Sequence, residues 1–245
     1  MRLQFVGSGD AFGSGGRFNT CFHVTGERTR FLIDCGATSL VAMKRLGIDR
    51  NAIDAILITH FHADHFGGIP FVILDAQFVA KRTRPLIVAG PPGLATWYQR
   101  VMEAAFPGSA GIDQRFSISL LELAVGGRTD VGTLGVQAFP MAHADSAGPC
   151  LGLRVTVEGK VVAFSGDTEW TETLIDVGRE ADLFVCESYT RERPTKLHLA
   201  LSQLEPRLPE INAKRLVLTH MSEEMLARRG EVPYQTAEDG MVIEF

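Results

Sequence analysis

Short apolar runs punctuate the chain, and each stops at a polar residue or a glycine: Leu3 to Val6, Phe31 to Ile33 before Asp34, Ala55 to Ile58 before Thr59, and Leu86 to Ala89 before Gly90. The form returns in Val161 to Phe164 before Ser165, Leu183 to Cys186 before Glu187, Leu216 to Leu218 before Thr219, and Met241 to Phe245. Such short apolar runs bounded by turn formers predict buried strands. Helical stretches lie between them, at Ser39 to Leu46, Pro70 to Ala80, Pro92 to Ala105, Glu172 to Arg179 and Ser222 to Arg229. The last carries its own signals, with Ser222 as N-cap, Glu223 and Glu224 in the first turn, Arg228 and Arg229 in the last, and Gly230 beyond. Strands and helices in both halves predict a layered α/β protein, and the Gly-punctuated, strand-rich stretch Ser117 to Val157 argues against a purely parallel sheet. No Pro-, Gly- or Ser-rich linker, low-complexity tract or tandem repeat divides the sequence, so residues 1–245 read as one domain.

Composition narrows the partners. The 24 basic and 29 acidic side chains leave a net charge of -5, without the broad positive field of a dedicated nucleic-acid binder, so extended nucleic acid is disfavoured. The four cysteines, Cys21, Cys35, Cys150 and Cys186, are scattered with no CxxC, as expected of a reducing cytoplasm. No apolar run approaches the roughly 18 residues of a membrane span, and the N-terminal segment has no signal-peptide pattern, so no membrane partner is expected. The composition leaves a homo-oligomer open.

Candidate chemistry collects just past the apolar runs. The densest cluster is Thr59-His60-Phe61-His62-Ala63-Asp64-His65-Phe66-Gly67-Gly68, which puts four metal-capable side chains within six positions. In an extended segment His60, His62 and Asp64 would share a face, because side chains alternate with period two, and His65 would point elsewhere. Such an arrangement can divide its ligands between adjacent ions, His60 and His62 on one, Asp64 and His65 on the other.

These residues resemble the metallo-β-lactamase superfamily, whose HxHxDH pattern followed by a glycine-rich turn is matched by His60 to His65 and Gly67-Gly68. The likeness extends to Phe5-Val6-Gly7-Ser8-Gly9-Asp10, Leu32-Ile33-Asp34-Cys35-Gly36 and Ser165-Gly166-Asp167-Thr168. The resemblance implies a four-layered αβ/βα sandwich with two divalent ions at one edge, zinc first and manganese second. It also implies that His143 completes the first ion's site, Asp167 bridges both ions and His220 completes the second. The activity implied is two-metal hydrolysis by a bridging hydroxide, with Asp64 also able to accept a proton. Two divalent ions less Asp64, Asp167 and one hydroxide leave an excess of about +1, so the pocket favours an anion.

Glu187 and His198 resemble the Glu and His pair of ribonuclease Z and related phosphodiesterases, with His198 donating to phosphate or to the leaving group and Glu187 orienting it. The stretch from Pro140 to Gly152 is similar to the same branch. In that branch a tRNA-binding arm is commonly inserted between the positions of His143 and Asp167, yet only 24 positions separate them here. The expected substrate is therefore a small or nucleotide-like phosphodiester. Ribonuclease Z-like RNA cleavage, or thioester or lactam hydrolysis on the same scaffold, is the alternative. The glycine-rich run Gly7 to Gly16 lacks a nucleotide P-loop pattern and reads as a loop at the rim of the site, with Asn19 and Thr20 beside it in a turn or against substrate. Phe61 and Phe66 read as packing residues, and Lys81, Arg82 and Arg84 as a solvated helix end.

Overall fold

The computed structural model describes residues 1–144, 146 and 148–245. Strands β1 (Arg2–Gly7), β2 (Cys21–Thr25), β3 (Arg30–Ile33), β4 (Ala55–Leu57), β5 (Leu86–Gly90) and β6 (Ile118–Glu122) build one sheet. Strands β7 (Arg128–Val131), β8 (Leu134–Met141), β9 (Cys150–Val157), β10 (Lys160–Phe164), β11 (Leu183–Glu187), β12 (Leu216–Thr219) and β13 (Gln235–Thr236) build the other. β14 (Val242–Glu244) returns to pair antiparallel with β1. Each sheet is half antiparallel and half parallel: β3 to β6 run parallel in the first, β10 to β13 in the second. The mixture matches the expectation drawn from Ser117 to Val157, which supplies the antiparallel strands β7, β8 and β9.

Alternation along the strands makes the layers. Phe31, Leu57, Val162 and Val185 face a core shared by the two sheets, whereas Leu32 and Ile56 turn outward to a second core, and Phe184 and Cys186 to a third. The second is covered by α1 (Ser39–Arg45), α3 (Ile69–Leu74) and α4 (Leu94–Ala105), with the single turn α2 (Ala63–Phe66) between α1 and α3. The third is covered by α5 (Thr173–Gly178), α6 (Leu201–Leu204), α7 (Leu208–Ile211) and α8 (Glu223–Ala227). The central strands are buried on both faces, which is why they read as continuous apolar runs. The result is the expected four-layered αβ/βα sandwich.

Several local readings are corrected. The helix expected from Pro70 to Ala80 is α3 followed by a wider turn over Asp75–Val79, closed by the Ala80 N–H on the Asp75 carbonyl at 2.8 Å. The Asp75 carboxylate is already committed to Lys44 and Arg50, at 2.7 and 2.8 Å. α8 begins under its Ser222 cap, whose hydroxyl accepts from the Met225 N–H at 3.3 Å, but it ends before Arg228, whose N–H reaches back only three residues. Arg82 is not a solvated helix end: it is buried, and its guanidinium donates to the carbonyls of Arg50, Asn51, Ile53, Arg84 and Pro85. One rigid fork thereby satisfies the carbonyls of two loops, those leading into β4 and β5.

Candidate metal centre

One edge of the sandwich receives the C-terminal ends of six strands. Asp34 follows β3, Thr59 and His60 lie just past β4, His143 past β8 and Asp167 past β10, Glu187 ends β11, and His220 follows β12. Carboxyl ends of strands are where open α/β sheets place ligands. The cluster His60 to His65 is not one extended segment. The chain leaves β4 through Thr59 to His62, which caps α2 with extended backbone, and then coils, so Asp64 and His65 project from a helical turn. The sharing of one face by His60, His62 and Asp64 is thus replaced by a turn that aims all four side chains inward. Gly36 permits this, because a Cβ there would lie 2.1 Å from the Asp64 carbonyl oxygen. Three non-glycine residues with positive φ sit here, Asp34, Leu197 and His220, each held through its own N–H, which donates to the Leu57 carbonyl, the Glu169 carboxylate and the Ser8 carbonyl respectively.

Proton counting fixes the ring tautomers. The Thr59 hydroxyl donates its one proton to Asp34 Oδ2 at 2.8 Å, so at 3.1 Å it accepts from His60 Nδ1. The Thr20 hydroxyl donates to the Gly9 carbonyl and accepts from His220 Nδ1 at 3.2 Å. His143 Nδ1 donates to the Leu197 carbonyl at 2.7 Å, and His65 Nδ1 to Asp34 Oδ2 at 2.6 Å. Four imidazoles therefore turn a bare Nε2 lone pair toward the site. His60 Nε2, His65 Nε2 and Asp167 Oδ1 are buried without a hydrogen-bond partner among the described residues. Orphaned buried acceptors are costly, and a cation satisfies them together.

The donor atoms fall into overlapping groups, each within 4.8 Å: His60, His62 and His143; Asp64, His65, Asp167 and His220; and Asp167, Glu187, His198 and His220. In the second, His65 Nε2 is 3.2 Å from both Asp64 and Asp167, and His220 Nε2 is 3.2 Å from Asp167. Asp167 also approaches His143 Nε2 at 4.0 Å, between the first two groups. These residue types and their convergence fit divalent transition ions. Burial lowers the pKa of His60 and of His143, keeping both as neutral donors.

The third group is already engaged internally. Glu187 Oε1 accepts from the backbone N–H groups of Thr168 and Leu199, each at 2.9 Å, and Oε2 accepts from His198 Nδ1 at 3.0 Å. Burial works against a charged His198, but the hydrogen bond to Glu187 wins and pushes its pKa up to about 9. Tyr189 lies nearly parallel to the His198 ring, with centroids 4.5 Å apart. His198 sits in a loop stitched by Thr190 to Ala200 and Thr195 to His198, not on a helix. It lines a cavity of about 440 Å³ with His62, Asp64, His143, Asp167 and His220.

His60, His62, Asp64, His65, His143, Asp167, Glu187, His198 and His220 converge on this edge. Sequence reading missed the residues that hold them: Asp34 and Thr59 behind His65 and His60, Thr20 behind His220, the Leu197 carbonyl behind His143, and Tyr189 against His198. Asp34 and Thr59 had a signal, since each stands immediately past an apolar run. Thr20 is fully buried, so it supports His220 rather than touching substrate; Asn19 lines the cavity while tying Asp10 to Thr38. Among the described residues no helix is long and apolar enough to cross a membrane.

The family model described as Anti-Pycsar protein Apyc1 matches residues 1–240. The chain belongs to that family. The Anti-Pycsar protein Apyc1 of Bacillus phage 010DV004 is 28% identical over 239 residues, covering 92% of this chain and 90% of its own. Ribonuclease Z of Methanosarcina acetivorans is 23% identical over 273 residues, covering 91% and 88%. Among solved structures, the short form of human tRNase Z superposes with a TM-score of 0.77 at 24% identity, covering 100% of this chain and 99% of its own. This Apyc1-family chain is a metal-dependent hydrolase with the metallo-β-lactamase fold.

Proposed function

We propose that this chain is a dinuclear phosphodiesterase acting on a small or nucleotide-like phosphodiester, and that residues 1–245 work as one catalytic domain in a reducing cytoplasm. The observation that carries this is the Glu187–His198 pair, joined at 3.0 Å at the wall of the His/Asp cavity. His60, His62 and His143 would hold one ion, Asp64, His65 and His220 the other, with Asp167 between them. Zinc is the first expectation for this donor set and manganese the second. When bound, the ions supply Lewis acidity and a water that loses its proton near neutral pH. Asp64 can accept that proton at its carboxylate. His198, with Nδ1 committed to Glu187, offers Nε2 to a phosphate oxygen or to the departing oxygen. Carbonyl hydrolysis has no evident need of the pair, which weighs against a thioester or lactam.

A small substrate rather than structured RNA is supported by what fills the chain between His143 and Asp167: the described part is dominated by the hairpin of β9 and β10. The alignment with the Methanosarcina ribonuclease Z also runs to 273 residues, more than the 245 of this chain, so that relative carries segments without a counterpart here. A hydrolysis screen of metal-loaded protein tests the reading, with bis-aryl phosphodiesters, 3′,5′-cyclic nucleotides, a tRNA precursor, thioesters and a chromogenic lactam. Turnover of the first two is expected. Cleavage of a thioester or lactam with every phosphodiester untouched would overturn it.

A further inference from the structure

Helix α4 buries Leu94, Tyr98 and Met102 in the core, yet it carries a second apolar stripe, Trp97, Val101 and Ala104, at the i, i+4, i+7 spacing that puts side chains on one face. That stripe lines a cavity of about 220 Å³ against Phe61 and the α2 turn that ends in Phe66. Phe61 stands between His60 and His62 in the chain, but it lines this cavity and not the one at the metal edge. Its ring lies 17° from the plane of Trp97 with centroids at 5.5 Å, and Phe66 meets it edge-on at 5.1 Å. Among the described lining residues only Arg100 is charged. Its guanidinium carbon lies 5.2 Å from the centroid of the Trp97 ring and, among the described residues, has no carboxylate partner. Glu103, one turn on, is committed elsewhere: its two carboxylate oxygens accept from the Gly108 and Ala110 N–H groups, at 2.7 and 3.0 Å.

We propose that this cavity is a second ligand site, separate from the metal centre, for a small planar aromatic carboxylate whose rings lie among Phe61, Phe66 and Trp97 and whose anion meets Arg100. Neither the phosphodiester reading nor its failure bears on it. Size sets the ring system. An apolar cavity of roughly 150 Å³ takes benzene, so about 220 Å³ admits two fused rings, and it falls short of the roughly 300 Å³ at which drug-sized ligands start. Charge sets the sign, because an exposed guanidinium without a carboxylate partner favours an anion at the mouth. The aromatic walls would leave the hydroxyls of a sugar unsatisfied, which disfavours a polar occupant.

Calorimetric titration of metal-loaded protein with 2-naphthoate and with the neutral 2-naphthamide tests this, since the two share a ring system and differ in charge. One 2-naphthoate per chain should bind, with a Kd on the order of 0.1 mM, and the amide about two- to fivefold more weakly, the range that an exposed ion pair supplies. Ala104→Trp, which puts an indole into the cavity from α4, should weaken both ligands at least about tenfold while leaving zinc content as in native protein. Arg100→Gln should bring the two ligands to equal affinity. If the indole prevents folding, the change at the exposed Arg100 still decides. Naphthoate binding that Ala104→Trp leaves intact would put the carboxylate on the metal centre and overturn the proposal. So would the absence of binding, equal affinity of the native protein for the two ligands, or a preference for the anion that survives Arg100→Gln. A dimer that Ala104→Trp dissociates in sedimentation, with no naphthoate bound by native protein, would make the cavity a contact between copies instead.

Discussion

At the scale of single residues, the site is a problem in proton placement. Thr20, Thr59, Asp34 and the Leu197 carbonyl each occupy one ring nitrogen of a histidine, and so decide which nitrogen faces the cavity. His198 is treated differently: its Nδ1 partner is a buried carboxylate, which favours the charged ring, and Tyr189 stacks against it. His198→Ala should therefore retain metal while lowering kcat on a phosphodiester with a poor leaving group by about 10² to 10⁴, the range of general acid catalysis. KM should move less, and the loss should shrink for activated aryl esters, which need little protonation. Steady-state kinetics across a leaving-group series checks this; a flat series with near-native turnover would return His198 to a supporting role.

At the scale of elements, the strands deliver and the loops aim. β4 ends at Leu57, and the turn α2, seated against Gly36, redirects Asp64 and His65 toward Asp167. Arg82 ties the loops leading into β4 and β5 through five backbone carbonyls. β2 carries a histidine remote from this chemistry. His23 is buried, its Nε2 lacks a hydrogen-bond partner among the described residues, and burial, with Arg2 and Arg30 nearby, lowers its pKa to about 4 from 6.5. The unfolded chain therefore binds this proton more readily than the folded one. His23 should remove stability progressively as pH falls from about 6.5 to about 4, by about 3 kcal/mol in full, and nothing further below that. Denaturant titrations of native protein and His23→Phe at pH 7.5 and pH 4.5 should show a larger acid loss for the native protein; parallel losses would refute the assignment.

At the scale of the whole molecule, two sheets sharing one core bring residues from 34 to 220 to a single edge, and that edge concentrates six histidines with Asp64 and Asp167. Bound ions should act as a clamp across both sheets. At metal concentrations 100 to 1,000 times the dissociation constant, binding adds about 3 to 4 kcal/mol of stability. Thermal melts should accordingly show a lower Tm after chelation, restored by zinc, and Asp167→Ala should lose most of the restoration because its carboxylate approaches both donor groups. An unchanged Tm on chelation would count against two tightly held ions. Much of this was legible in the chain itself. Apolar runs that stop at Thr59, Ser165, Glu187 and Thr219 mark strands buried on both faces and the polar residues at their ends, because burial and alternation are local properties of sequence. The spacing of His60, His62, Asp64 and His65 marks metal chemistry for the same reason. Tertiary structure alone decided that His65 points inward with them, that Asp34 and Thr20 choose the tautomers, and that Arg82 is interior. Those outcomes depend on groups far apart in sequence meeting across loops, and no local periodicity encodes which loop will supply the partner.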